Sequence, residues 1–388
     1  MIKKFLTIGI IILFLGVVIN SSVAINTPKN TISNGNTLYV GGTGEGNYTK
    51  IQDAVDNASD GDNIFVFDDG SPYYENIEMD KSINLVGENK DTTIIDGFKN
   101  GDVIFIGNTD YVNISSFTIV NSSASENNEF QFGAGIRIYK SNYCNILNNN
   151  IIKNDHYGLE VRANSYHTLI ENNNFINNDW AGIYLRNSEK CIIRNNIVEN
   201  HWRGISIWVE PQNYTISGNI ISNNTYGIYD TSDISINYIL NNKILNSNYS
   251  ALVISSYSLT IITGNEISGG EIGIELDYSN GQYISKNTIS NCDLGIYIVG
   301  GHLIIIRKNN FINNHRVGFY NSSVIPPFRT IRWSNNYYSR WISFIPKLIY
   351  GNLVIGIWSP YHGTNWYVYK WFPLIDWTPS RKPYDIEV

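Results

Sequence analysis

Asp155, Asp179 and His201 stand 24 and 22 residues apart, each three residues before a glycine (Gly158, Gly182, Gly204). In a chain that winds back on itself with that period, they share one column, about 5 Å apart on adjacent turns. Two carboxylates that close share a site. One then carries a raised pKa and serves as general acid or base, with His201 as the partner base. The column reads Phe132, Asp155, Asp179, His201, Asn224, and the next one includes His156, Trp180 and Trp202. Positions after the glycines add Arg137, Glu160, Tyr184 and Ser206, then Tyr139, Arg162, Arg186 and Trp208. Carboxylates, imidazoles, guanidiniums and aromatics therefore converge on three consecutive turns. Asp155, Asp179, His201 and Glu160 are the candidate catalytic groups. Arg137, Tyr139, His156, Arg162, Trp180, Tyr184, Arg186, Trp202 and Trp208 are the candidate ligand contacts. Such a surface suits a polysaccharide: aromatics stack on sugar rings and arginines pair with uronate carboxylates. The competing reading is a solvated outer face with ordinary cross-strand pairs.

The element that positions these residues is a repeat. Asn-x-Ile-x-Asn starts at Asn150, Asn174, Asn196, Asn219, Asn242, Asn265, Asn287 and Asn310, with conservative variants. Its last Asn recurs at Asn154, Asn178, Asn200, Asn223, Asn246, Asn291 and Asn314. Gly-Ile-x-Ile starts at Gly135, Gly158, Gly182, Gly204, Gly227, Gly273, Gly295 and Gly318. Both step by 22 to 24 residues, in phase. A third column reads Ile146, Ile170, Ile193, Ile216, Ile239, Ile262, Ile284 and Ile306. Period-2 alternation within each motif points its Ile and Val inward. Three short strands per coil predict an all-β, right-handed parallel β-helix, a solenoid with a continuous dry core. The Asn columns sit at sharp corners, where Asn tolerates the left-handed conformation and its amides ladder from coil to coil. Gly at the other corner is expected to supply the same backbone freedom. A leucine-rich horseshoe is excluded, because Leu-x-x-Leu-x-Leu and a helix per repeat are missing.

Open solenoid ends need covers. Residues 37–134 read as an N-terminal cap and looser first coils, 135–325 as the regular helix, and 326–388 as an aromatic C-terminal cap. Thr49-Lys50-Ile51-Gln52 is a capping box ahead of a short amphipathic helix over Ile51, Ala54, Val55 and Ala58. Beyond Pro326-Pro327 come Trp333, Trp341, Trp358, Trp366, Trp371 and Trp377, enough to bury the last coil's edge, with an aromatic binding platform for sugar or a partner surface as the alternative. Residues 1–24 read as a secretory signal: Lys3 and Lys4, an apolar run from Phe5 to Ile19, then Ser22-Val23-Ala24. Cleaved or retained as an N-terminal anchor, this segment places the body outside the cytoplasm.

The net charge of -7 and the missing basic patch exclude a phosphate-backbone partner. Cys144, Cys191 and Cys292 are an odd set, and the first two lie two coils apart, too far to bridge. They read as structural. Sequons at Asn47, Asn113, Asn213 and Asn321 permit glycosylation. Asn108-Thr109-Asp110 matches one element of the polygalacturonase set, but the paired Asp and Gly-His-Gly that should follow are absent.

The segments Ile51-Gln52-Asp53-Ala54-Val55, Gly61-Asp62-Asn63-Ile64, Lys81-Ser82-Ile83-Asn84-Leu85-Val86-Gly87 and Ile94-Ile95-Asp96-Gly97 resemble the opening of pectin-lyase-like β-helix proteins. The Asn-x-Ile and Gly-Ile-x-Ile coils resemble the NosD-like family of periplasmic copper-binding β-helices. The tail, with Asn335-Asn336-Tyr337-Tyr338, Asp376-Trp377-Thr378-Pro379 and Pro383-Tyr384-Asp385-Ile386, is similar to archaeal secreted or surface proteins of that group. The resemblance implies a parallel β-helix outside the cytoplasm, with copper delivery or carbohydrate processing as activities on that fold. Copper finds few soft donors: past residue 24 there is one methionine, Met79, and neither Cys-x-x-Cys nor His-x-His occurs. Ca2+ between Asp155, Asp179 and Glu160 lacks a loop signature. The expected function is a secreted or cell-surface β-helix that binds carbohydrate or envelope partners without catalysis. The alternatives are a polysaccharide lyase, hydrolase or epimerase, and a NosD-like accessory protein.

Overall fold

The computed structural model describes residues 35–124, 133–208, 213–232, 235–322, 331–339, 347–358, 365–371, 374–376 and 378–386. The proposed signal and Phe132 lie outside them. Among the described residues, no helix is long and apolar enough to cross a membrane.

The strands form three sheets that each run the length of a solenoid. One coil shows the plan: Asn145–Leu147 lies in a first sheet, Asn150–Ile152 in a second, Tyr157–Tyr166 in a third. The first sheet has 13 strands, the second 12 and the third 14. Pairing is parallel until the last coil. The predicted inward column is dry: Ile146, Ile170, Ile193, Ile216, Ile239, Ile262, Ile284 and Ile306 are fully buried. Each such side chain contributes about 1.5–3 kcal/mol, and stacking on identical neighbours fixes the register.

The two roles assigned to Asn fall on adjacent residues. Asn148, Asn172, Asn195, Asn241 and Asn335 turn the corner, with φ between 53° and 58°. The residue after each corner builds a buried ladder through Asn149, Asn173, Asn196, Asn219, Asn242, Asn265, Asn287, Asn309 and Asn336. Each backbone N–H and side-chain amide donates to Oδ1 of the next Asn at 2.9–3.1 Å. Asn150, Asn174 and Asn310, read into this column from the sequence, are its outward neighbours. Asn-Asn pairs make a one-residue slip invisible to the motif. A second ladder runs through Asn154, Asn178, His201 and Asn224, whereas Asn200, Asn223, Asn246 and Asn291 are left-handed corner residues.

The Gly-Ile-x-Ile glycines correct another expectation. None of Gly135, Gly158, Gly182 or Gly204 has positive φ. A Cβ on Gly158 would stand 2.6 Å from the Gly182 carbonyl oxygen and 2.9 Å from the Phe175 ring. These glycines admit close coil-to-coil approach, not a left-handed turn.

Helix α1 (Ile51–Asn57) buries Ile51, Ala54 and Val55 over the first coil. Its expected capping box does not form: Lys50 is the N-cap and makes no side-chain cap bond. The Glu75 carboxylate, from a neighbouring coil, accepts the N–H groups of Ile51 and Gln52 at 2.8 and 2.9 Å. A long-range carboxylate thus does what the local motif predicts.

At the other end, Lys347–Trp358 joins the third sheet in parallel and then pairs antiparallel with Asn365–Trp371 and Leu374–Asp376. Trp333 is buried against Phe311, which stacks on Tyr338 at 5.5 Å. Trp341, Trp377 and the side chains of Trp358, Trp366 and Trp371 lie outside the described residues.

Candidate functional site

The outer face of the third sheet carries the predicted cluster, held by strand register. Arg137, Glu160, Tyr184, Ser206 and Tyr229 are successive Cα partners. So are Tyr139, Arg162, Arg186, Trp208 and Thr231. A row absent from the sequence reading precedes them: Ala134, Tyr157, Ala181, Arg203 and Tyr226. It is the column immediately before each glycine, and its varied residue types hid it.

The third-sheet face is not uniformly solvated. Arg137 is 0% exposed and Glu160 1%. Arg137 donates to Asp102 at 2.6 and 2.9 Å and is paired with Glu160. Arg162 approaches the other Glu160 oxygen at 3.4 Å. Glu160 and Arg137 are therefore a buried ion network beneath the face. Glu160 has no free oxygen for catalysis or for the postulated Ca2+. This network replaces both sequence assignments with a positioning one.

Above it lies an aromatic shelf. His156 stacks on Trp180 at 5.6 Å, with planes 4° apart, and Trp180 meets Trp202 at 5.5 Å. Tyr157 stacks on Tyr184 at 4.8 Å. Trp202 and Trp208 are exposed, and the Arg186 guanidinium lies 5.5 Å over Trp208. Arg203 is enclosed: its guanidinium carbon stands 3.8 Å from the Tyr229 ring centre, 4.5 Å from Trp202 and 5.0 Å from Trp180. Burial holds the Arg203 and Arg162 pKa below the usual guanidinium value. Tyr139, in the outermost row, has Lys140 Nζ 4.9 Å over its ring.

Asp155 and Asp179 do come together at the strand's entry corner, both exposed. Asp155 accepts from Ser123 Oγ at 2.8 Å. The Asp179 carboxyl is pushed up by burial and then by the Asp155 charge. His156 is held below the ordinary imidazole value by burial, against the pull of Asp155.

His201 does not join them. It is 5% exposed and occupies a rung of the second Asn ladder. Its Nδ1 faces Asn224 Oδ1 at 3.0 Å and its Nε2 faces Asn178 Nδ2 at 3.2 Å. That pattern requires the neutral Nδ1–H tautomer, and burial pulls the pKa down to about 4. The physical reason is a shorter corner. Asn154 and Asn178 lie four residues before Gly158 and Gly182, but His201 and Asn224 lie three before Gly204 and Gly227. Counting back from glycine therefore paired His201 with Asp179 instead of Asn178.

Asp110 is structural: its carboxylate accepts from the Asn142 backbone and side chain at 2.6 and 3.0 Å.

The family pattern described as "Periplasmic copper-binding protein (NosD)" matches residues 55–253, 179–284 and 237–352. The chain belongs to the NosD family. No curated protein matches it. Solved structures share the fold at low identity. The A-module of Azotobacter vinelandii mannuronan C-5 epimerase AlgE4 aligns at TM-score 0.55 and 10% identity, over 74% of this chain and 88% of that one. XylC, in complex with xylose, aligns at TM-score 0.57 and 11% identity, over 81% and 87%. Pectate lyase Pel9A aligns at TM-score 0.51 and 12% identity, over 68% and 79%.

The copper in the NosD family description meets no fitting donor set here. Among the described residues, no three His, Cys, Asp or Glu side chains converge. Cys144, Cys191 and Cys292 are buried apart from one another, and burial pushes their thiols up to about 12, 11 and 12. Met79 is 1% exposed in the core.

Proposed function

We propose that this chain is an extracytoplasmic β-helix that binds a polysaccharide or envelope glycan on the outer face of its third sheet, without turning it over. The observation that carries the reading is the shelf of His156, Trp180 and Trp202 over consecutive coils, flanked by Trp208 and Arg186. Aromatic faces presented at the coil repeat are suited to successive sugar rings, and Trp presents a large face at little cost in side-chain entropy. The NosD description as periplasmic supports a place outside the cytoplasm, as does the N-terminal apolar segment. By their names, two of the solved structures that share the fold act on mannuronan and pectate.

A glycan array probed with the chain tests this. Specific binding that weakens at least tenfold in Trp202→Ala and Trp208→Ala supports the shelf as the site. Binding that ignores both substitutions, or no binding to any glycan, overturns it.

A second reading, a carbohydrate-active enzyme, has one observation in its favour: the Asp155–Asp179 pair with the Asp179 carboxyl raised. With His201 sealed in a ladder and Glu160 consumed by Arg137, that pair lacks its expected partners. Any array hit carried into a turnover assay decides it. Turnover abolished in Asp155→Asn and Asp179→Asn establishes the enzyme; no turnover leaves the binder.

A further inference from the structure

We propose that the cleft between the last coil and the C-terminal strands binds a small organic carboxylate with a ring-sized apolar body, whose oxygens end the second asparagine ladder at Asn314 as Asp376 ends the first at Asn336. The site stands on its own residues and does not depend on the glycan reading.

The cleft exists because one strand changes partners. Lys347–Trp358 pairs antiparallel with Leu374–Asp376 through Lys347, Leu348 and Ile349. Its parallel ladder to Arg316–Ser322 begins only at Tyr350 and Phe319. On their other side Arg316 and Gly318 pair regularly, with Leu294 and Ile296. Residues 316–318 and 347–349 therefore face a gap where a further coil would otherwise close. The gap spans about 180 Å³, and an apolar cavity of about 150 Å³ takes a benzene ring.

The donors come from the ladder. Asn314 follows the left-handed corner Asn313 (φ 54°), as Asn154 follows Lys153 (φ 55°). Its Oδ1 accepts the Cys292 N–H at 3.0 Å, and its side-chain amide gives one hydrogen to the Ile289 carbonyl at 2.8 Å. At Asn154 the backbone N–H and the side-chain amide both reach Asn178 Oδ1, at 3.0 Å. Among the described residues, none supplies that acceptor at Asn314. In the first ladder the Asp376 carboxylate supplies it to Asn336, at 3.1 and 3.2 Å. One ladder thus closes on a carboxylate of the chain, and the other ends at the cleft.

Charge and shape agree on the occupant. His315, Arg316 and Lys347 stand at the cleft, and among the described residues that line it there is no Asp or Glu. Glu271 and Asp293 share a neighbouring cleft with Arg316 without reaching ion-pair distance. Burial lowers the Lys347 pKa, a penalty that an anion beside the ammonium offsets. Phe311, Tyr338 and Ile349 are buried and supply an apolar wall. A carboxylate meets the Asn314 donors and a guanidinium by charge-assisted bonds, and an apolar body covers the wall. A phosphate would answer the charge and leave the wall wet. A neutral ring would do the reverse.

The test is a titration of the full chain with benzoate, its neutral amide benzamide, and inorganic phosphate, followed by calorimetry and by the Asn314 amide resonances. Benzoate is expected to bind at least tenfold more tightly than either, and to shift both the backbone and side-chain N–H signals of Asn314. Arg316 is exposed, so Arg316→Gln leaves the fold intact. It should weaken benzoate at least tenfold and leave benzamide unchanged. Asn314→Asp keeps the oxygen that Cys292 needs and puts a negative charge in place of the donor, so it should abolish benzoate binding. A thermal melt checks that variant; if it melts early, Arg316→Gln and the Asn314 signals decide alone. Trp208→Ala should leave benzoate binding unchanged, and binding lost there would place the ligand on the shelf and overturn the site. Equal affinity for benzoate and benzamide, silent Asn314 signals, or an unaffected Arg316→Gln chain overturns the carboxylate assignment. Phosphate bound as tightly as benzoate overturns the apolar body. Binding of none of the three overturns the proposal whole and leaves the glycan reading standing.

Discussion

The Oδ2 of Asp376 closes the asparagine ladder by accepting both the backbone N–H and the side-chain amide of Asn336, at 3.1 and 3.2 Å. It stands where the next rung's Oδ1 would be. The same oxygen accepts from Tyr338 Oη at 2.9 Å, and Oδ1 takes the Thr378 N–H at 3.0 Å. A stack of identical amides always leaves its last donors over. Here a carboxylate delivered by the strand Leu374–Asp376 ends the series with an acceptor that needs no further partner.

Asp376→Ala is expected to destabilise the C-terminal coils by about 3 kcal/mol or more, since several buried donors lose their acceptor. Asp376→Asn retains one acceptor and should cost less. Amide hydrogen exchange at Asn336 reads the difference directly: protection lost in the Ala variant and largely kept in the Asn variant. Equal protection in both would refute the capping role.

Arg137 predicts a different kind of loss. Its guanidinium is the shared partner of two buried carboxylates, Asp102 and Glu160. Arg137→Met leaves those carboxylates facing each other in low dielectric, a cost of about 3–5 kcal/mol. Adding Glu160→Leu to that variant should recover part of the loss, because the remaining uncompensated charge is halved. Denaturant melts of the single and double variants measure this, and a double variant less stable than the single would contradict it.

The sequence reading reached the fold through periodicity, because a stacked Ile or Asn must recur at the same place in every coil. It placed outer positions of the third sheet for the same reason: Arg186 and Trp208 fall where period-2 counting puts them, whereas Tyr184, expected to contact ligand, is 1% exposed and packs in a buried cluster with Ala134, Tyr157 and Ala181. It failed where the count depended on corner length. His201 and Asn200 differ by one residue, yet one is a buried rung and the other a left-handed turn. It also equated outward with exposed. Glu160 points outward and is still sealed by Arg137 and its neighbours, a fact set by long-range packing. Arg203 was missed because nothing in a one-dimensional column shows that Tyr229 and Trp180, from the coils on either side, close around it.

The Asp155–Asp179 pair makes a prediction independent of any ligand. Burial and then the Asp155 charge raise the Asp179 pKa. Asp155→Asn removes the second cause and keeps the first. The Asp179 midpoint, followed by carboxyl carbon NMR, should therefore fall toward the ordinary Asp value without reaching it. An unchanged midpoint would show that the two carboxylates do not share a field.

His201 makes the fold pH-dependent, and the sign follows from its rung. Folded, its pKa is pulled from 6.5 down to about 4 by burial, with Asn224 opposing. Between those values the unfolded chain takes up a proton that the folded chain refuses. The contribution is therefore fully present above about pH 6.5, and it is lost as pH falls toward 4. Its full extent is on the order of 3 kcal/mol. His201→Asn restores an amide to the ladder between Asn178 and Asn224 and has nothing to titrate. The two chains should melt alike near pH 8, and at pH 4.5 the Asn variant should be the more stable. If both lose stability in parallel across that window, the imidazole is not the neutral rung that its two contacts require.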